Sequence, residues 1–191
     1  MDKMKDKIKY LIEESINVKK DVISSQLDPI QKTAEAVIAT LRAGGKVILF
    51  GNGGSAADSQ HIAAEMVGRF LKERKALPAL ALTTNTSLLT AIGNDYSFTQ
   101  TFARQLDAMA EKKDVVIGIS TSGKAANVIE AVDLANKKGM TTIALTGGDG
   151  GGLAKIAKIS IIIPSKVTPR IQEAHITIGH IICQLVEDEL F

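Results

Sequence analysis

The chain changes its hydrophobic rhythm near residue 45. Before that point apolar side chains recur at helical spacing, at Ile8, Leu11, Ile12, Ile16 and Val18 and again at Val37, Ile38 and Leu41, which predicts two amphipathic helices. Asp28 followed by Pro29 reads as an N-cap and a first helical residue, placing the break between the two, and Gly44-Gly45 ends the second. Five short apolar runs follow: Val47 to Phe50, Ala79 to Leu82, Val115 to Ile119, Thr142 to Leu145 and Ile159 to Ile163. Such runs are strands buried on both faces, and each is separated from the next by enough chain for a crossover helix. A last helical pattern, Pro169 to Glu189, carries Ile171, Ile176, Ile178, Ile181, Ile182 and Leu185 and predicts one long closing helix. The expected architecture is α/β: a five-stranded parallel sheet flanked by helices, with two extra N-terminal helices. Residues 1–44 make the helical pair and residues 45–191 the core with its closing helix, together a single domain without a linker, repeat or low-complexity tract.

Composition narrows the function classes. With 45% hydrophobic and 23% charged residues the chain has material for a core, and its 23 basic and 21 acidic residues are mixed along the sequence, so nucleic-acid binding gains no support. The single cysteine, Cys183, lies in an apolar run and reads as a buried thiol in a reducing compartment. The charged start of the chain lacks an apolar signal core and no apolar run reaches membrane-spanning length, so a soluble cytoplasmic protein without membrane contact is expected.

Open parallel sheets bind ligands beyond the carboxyl ends of their strands. Two loops there have the chemistry for a phosphate: Gly51-Asn52-Gly53-Gly54-Ser55 after the first strand and Ser120-Thr121-Ser122-Gly123 after the third. Glycine lets the backbone present its N–H groups, hydroxyls add donors, and the following helix points its positive end at the same place. Glycine-rich turns are also common structural devices; finding two at the ends of neighbouring strands argues for a ligand. Neither loop matches a nucleotide fingerprint, which favours a small phosphorylated metabolite. The loop Thr146 to Gly152 is richer in glycine but poor in reactive groups and reads as a structural turn.

The helix after the first loop carries His61 and Glu65, four residues apart and so on one face. The closing helix carries Gln172, His175 and His180. His175 and His180 point about 140° apart, so one of them is structural, and the spacing does not say which. A carboxylate and a histidine can act as base and acid in moving a proton between adjacent carbons of a sugar. The same side chains could instead hold zinc. The sequence leaves both roles open.

Taken together, Gly51 to Ser55, His61-Ile-Ala-Ala-Glu65, Gly93-Asn94-Asp95, Gly118 to Gly123 and Arg170 to His175 with His180 resemble the sugar isomerase (SIS) family, a flavodoxin-like three-layer sandwich, and within it the bacterial phosphoheptose isomerases. The resemblance runs over essentially the whole chain. It implies isomerisation of sedoheptulose 7-phosphate to the aldoheptose 7-phosphate through an enediol, with Glu65 as base and His180 as acid, feeding surface-polysaccharide heptose synthesis. It implies substrate contacts at Asn52, Gly53, Gly54, Ser55, Glu65, Asn94, Asp95, Ser120, Thr121, Ser122 and Gln172, one zinc per subunit on His61, Glu65, Gln172 and His180, and a homotetramer with active sites between subunits. One departure stands out: Lys124-Ala125 occupies the place where the family carries a small or polar residue followed by a phosphate-binding serine. The family also contains sugar-phosphate sensors fused to DNA-binding segments, and partners of the replication initiator that lack the residues matching Glu65 and His180. This chain has no DNA-binding segment and carries both residues, which favours an enzyme.

Overall fold

A computed structural model describes residues 2–191. Two helices, α1 (Lys3–Ser25) and α2 (Leu27–Arg42), precede five strands: β1 (Val47–Gly51), β2 (Ala79–Ala81), β3 (Val115–Ser120), β4 (Thr141–Gly147) and β5 (Ile159–Ile163). Helix α3 (Gly54–Val67) follows β1, α4 (Thr86–Asp95) and α5 (Thr101–Met109) follow β2, α6 (Ala126–Lys137) follows β3, α7 (Gly151–Ile156) follows β4, and α8 (Thr168–Leu190) closes the chain. The strands are all parallel, in the order β2-β1-β3-β4-β5.

The unbroken apolar runs of β1, β3 and β4 fold as expected because each of these central strands feeds two cores. Val47 and Leu49 of β1, Ile117 of β3 and Ile143 of β4 pack with α2, α3 and α8 on one face. Their neighbours Ile48, Phe50, Val116 and Ala144 pack with α5, α6 and α7 on the other. A strand buried on both sides has no polar face to show in its sequence. Every residue of β1 and β3 is buried, whereas β5, at the sheet edge, is only partly so.

Two details depart from the sequence expectation. Helix α2 starts at Leu27, two residues ahead of Pro29, and a single residue, Gln26, separates it from α1. Proline is tolerated there because the first-turn amides have no partner within the helix. The Gln26 side chain turns outward to the sheet, its Oε1 accepting the Ile162 N–H of β5 at 2.9 Å. The second detail is α1 itself, which leaves Ile8, Ile12, Ile16 and Ile23 each at least 46% exposed. The apolar stripe that predicted the helix is thus largely uncovered by its own chain.

The sheet order reverses between β1 and β3: the chain leaves β1 towards β2 on one side and β3 towards β4 and β5 on the other. Diverging connections open a crevice at the carboxyl ends of these two strands, the usual ligand position in this topology. Among the described residues, no helix is long and apolar enough to cross a membrane.

Candidate functional site

At that crevice Asn52, Ser55, Ser120, Thr121, Ser122 and Gln172 line a cavity of about 200 Å³, with Ile119 and Ala125. The backbone shapes it. Gly53 takes φ +56°, which a side chain would resist, and a Cβ on Gly54 would run into the Gln172 amide, so the present placing of that amide against the first turn of α3 depends on glycine there. The positive end of α3 faces the cavity, and hydroxyls rather than carboxylates surround it, a setting suited to an anion. Ala125 brings no hydroxyl to the cavity. The Lys124 backbone N–H donates to Ser122 Oγ at 3.2 Å, while its side chain is exposed. The glycine-rich turn after β4 packs against the loop after β3: Leu153 N–H donates to Gly123 O at 2.9 Å, and a Cβ on Gly123 would collide with Gly150 O. Gly147, Gly148 and Asp149 of this turn line a second cavity with Thr121, Ser122 and Lys124.

Further along the same two helices, α3 and α8 bring together His61, Glu65 and His180. The Nε2 atoms of His61 and His180 are 2.8 Å apart, and His61 Nε2 lies 3.2 Å from Glu65 Oε1. The helices can approach so closely because Gly179, beside His180, faces Ile62, beside His61; a Cβ at Gly179 would lie 2.7 Å from Ile62 Cδ1. The Phe70 ring lies beside His180, centroids 5.6 Å apart. The ligating atoms of the three residues fall within 4.8 Å of one another. In tetrahedral zinc with bonds of about 2.0–2.1 Å the ligand atoms are about 3.3 Å apart, so a small opening of the cluster accommodates the ion. Gln172 is set eight residues, about 12 Å of helix, upstream of His180 and belongs to the hydroxyl-lined cavity.

The two histidines of α8 now separate. His175 is fully buried and its Nε2 is 3.0 Å from Thr146 O at the end of β4, a bond that requires this nitrogen to donate. Burial lowers its pKa to about 4 against the pull of that carbonyl, so it is the structural one. Asn94 and Asp95 stand exposed at the end of α4, Asn94 Nδ2 donating to Asp95 Oδ1 at 2.9 Å, and neither lines the cavity.

The structure adds residues that spacing did not reveal. Asp58, half-buried on α3 between the cavity and the triad, has its carboxyl pushed up to about 6 by burial, with the His61 charge pulling it down; its Oδ2 is buried without a partner. Glu187 of α8, 1% exposed, accepts the backbone N–H groups of Phe70 (3.1 Å), Leu71 (2.7 Å) and Lys72 (2.8 Å) and Arg74 Nε (2.8 Å). Arg74 in turn donates to the carbonyls of Glu65 and Met66 at the end of α3. Burial would raise the Glu187 pKa, but the three amides and the guanidinium outweigh it and hold it down at about 2. Cys183 is buried and its thiol pushed up to about 12, by burial first and by Glu65 second, in keeping with an inert core residue.

His175 makes acid stability predictable. Its pKa falls from 6.5 to about 4 on folding, so the unfolded chain binds the proton more readily. The stabilisation is complete above pH 6.5 and fades as pH drops towards 4, by about 3 kcal/mol in all. Urea melts across this window should show the loss, and a His175→Gln variant should lack that slope. An identical slope in the variant would remove His175 as its source.

The fold and crevice define a SIS domain, and the SIS domain family model matches residues 10–147. The phosphoheptose isomerase of Sulfurimonas denitrificans is 51% identical over 190 residues, covering 98% of this chain and 97% of that protein. That of Aquifex aeolicus is 53% identical over 97% of both. The structure of the phosphoheptose isomerase from Neisseria gonorrhoeae superposes with a TM-score of 0.92 at 44% identity, covering 97% of this chain and 99% of that one. The chain belongs to the SIS-domain family, in its phosphoheptose isomerase branch.

Proposed function

We propose that this protein is an aldose–ketose isomerase that converts sedoheptulose 7-phosphate to the aldoheptose 7-phosphate, the first step towards heptose for surface polysaccharide. The observation that carries the reading is that the same two helices, α3 and α8, border a hydroxyl-lined cavity fit for a phosphate at the β1/β3 crevice and, further along, bear a carboxylate with two imidazoles. The high identity to phosphoheptose isomerases over nearly the full chain supports the same substrate. In this reading the hydroxyls of Ser55, Ser120, Thr121 and Ser122, with Asn52, Gly53, Gly54 and Gln172, hold the phosphate end. Glu65 moves the proton between C1 and C2, and His180 serves the neighbouring oxygens. Asn94 and Asp95 sit outside this cavity and would meet substrate only from a neighbouring subunit.

His61, Glu65 and His180 suit zinc by donor type and spacing, and we assign the ion to them; Gln172, the fourth ligand named by the family resemblance, instead lines the hydroxyl-lined cavity beside Gly54. When bound, the ion polarises a sugar oxygen next to the carbon that loses its proton. The exposed isoleucine stripe of α1 is the natural contact between copies in a homotetramer. The cytoplasm, where phosphorylated sugars are retained, is the matching compartment.

The deciding experiment incubates the purified protein with sedoheptulose 7-phosphate and, in parallel, with shorter ketose phosphates. Aldoheptose phosphate should form fastest from the seven-carbon substrate. Turnover of a shorter sugar alone would overturn the substrate, and no turnover of any would overturn the enzyme.

A further inference from the structure

The two loops that embrace the cavity are tied together by one pair of side chains. Asn52, in the loop after β1, donates from Nδ2 to Asn127 Oδ1 at 2.8 Å, and Asn127 returns the bond from its Nδ2 to Asn52 Oδ1 at 3.0 Å. Asn127 stands in the first turn of α6, behind the loop after β3, and is 2% exposed. Asn52 lines the cavity; Asn127 does not. The arrangement is a closed amide pair, in which each residue uses one N–H and one lone pair on its partner and keeps the other N–H and lone pair for something else.

Such a pair could be flipped as a whole, exchanging donors and acceptors on the cavity side. A third residue prevents this. Asn127 Nδ2 also lies 3.4 Å from Thr101 Oγ1, and the Thr101 hydroxyl spends its proton on Phe98 O at 2.8 Å. Towards Asn127 the fully buried Thr101 can therefore only accept, so the atom facing it must be the NH₂ group. The polarity passes from Phe98 through Thr101 and Asn127 to Asn52. It fixes which edge of the Asn52 amide faces the ligand, and it sets the separation of the two loops.

We propose that Asn127 is a positioning residue for the sugar-phosphate site: without touching substrate, it holds the Asn52 amide in one orientation and the loops after β1 and β3 at one spacing. This rests on the isomerase reading, and it goes beyond it in assigning substrate affinity to a buried residue of α6.

The test uses two variants of the full-length protein. Asn127→Leu keeps approximate shape and removes both bonds to Asn52. KM for sedoheptulose 7-phosphate should rise about tenfold, the equivalent of losing one to two hydrogen bonds' net contribution, while kcat stays within about threefold. Asn127→Asp adds a pH signature. Its carboxylate accepts from Asn52 Nδ2 but cannot donate to Asn52 Oδ1, whereas the protonated acid restores both bonds. Burial favours the protonated form, so the KM ratio of this variant to the unaltered protein should fall as pH is lowered from about 8 to about 5.5. Inorganic phosphate, followed by its protection against thermal unfolding, provides a second readout that needs no turnover. Protection should weaken in Asn127→Leu and, at the higher pH, in Asn127→Asp.

Unchanged KM and unchanged phosphate protection in Asn127→Leu overturn the proposal, even if that variant melts earlier, because the residue would then be structural only. A defect in Asn127→Asp alone overturns it too, since simple charge repulsion would explain it. If Asn127→Leu fails to fold, the pH dependence of Asn127→Asp decides, and a KM ratio constant with pH counts against the proposal. Failure of the unaltered protein to isomerise any sugar phosphate strikes the isomerase reading instead, and the phosphate-protection arm still decides the role of Asn127.

Discussion

Glu65→Gln yields a folded protein that binds the sugar phosphate and isomerises it orders of magnitude more slowly; this is the expected result if Glu65 is the base. The substitution keeps the shape of the side chain and deletes only the basic oxygen. General acid–base catalysis is typically worth about a hundredfold to ten-thousandfold per group, and the hydroxyl-lined cavity that would hold the phosphate is untouched, so the loss should fall on kcat. His180→Asn, which removes an imidazole whose Nε2 lies 2.8 Å from that of His61, should lower turnover on a similar scale. Exchange of the substrate C1 proton with deuterated solvent separates the two. Forming an enediol requires the base, so Glu65→Gln should abolish exchange, whereas His180→Asn should retain part of it. Because Glu65 also stands among the zinc ligands proposed above, metal content should be measured on each variant, and normal turnover by Glu65→Gln at full occupancy would end the proposed mechanism.

The largest effect on stability should come from Glu187. Its carboxylate is 1% exposed, and it satisfies three backbone amides and Arg74 at once. Truncation to alanine strands a guanidinium whose side chain is 2% exposed, and removing one partner of such a buried pair costs about 3–5 kcal/mol. Urea unfolding of Glu187→Ala should show a loss of that order. The double variant with Arg74→Met should recover part of the loss, since the orphaned charge is gone, although the three amides remain unsatisfied and the Glu65 and Met66 carbonyls lose their donor. Additive losses in the double variant would show that the two side chains do not act as a unit.

What could be read from the sequence follows from how local each signal is. The central strands β1, β3 and β4 were legible because burial on both faces writes an unbroken apolar run, as in Val47 to Phe50. The pair His61 and Glu65 was legible because four residues is one helical turn. The start of α2 was misplaced because Asp28-Pro29 carries the chemistry of a cap, while the residue at the break, Gln26, is fixed by a bond to Ile162, 136 residues away. The choice between His175 and His180 needed the sheet: only the packing of α8 against β4 shows that His175 meets Thr146 O. Arg74 with Glu187 and Asn52 with Asn127 join residues 113 and 75 apart, and no local pattern marks either. Gln172, grouped with the zinc ligands from the resemblance, lies beside Gly54 because α3 and α8 run side by side and eight residues of helix separate it from His180.

The contact between Gly179 and Ile62 reaches beyond packing. Two imidazoles carried on separate helices meet at 2.8 Å because one position lacks a methyl group, and a Cβ there would lie 2.7 Å from the opposing isoleucine. The latitude for sequence drift is therefore narrow at a residue with no reactive group of its own. A change from glycine to alanine would force the Ile62 side chain into another rotamer or the helices apart, and shrinking position 62 first would leave a void beside the histidines. The order in which mutations can accumulate where these helices cross is shaped by the neighbouring histidines, and a change at either position alters what the other can hold.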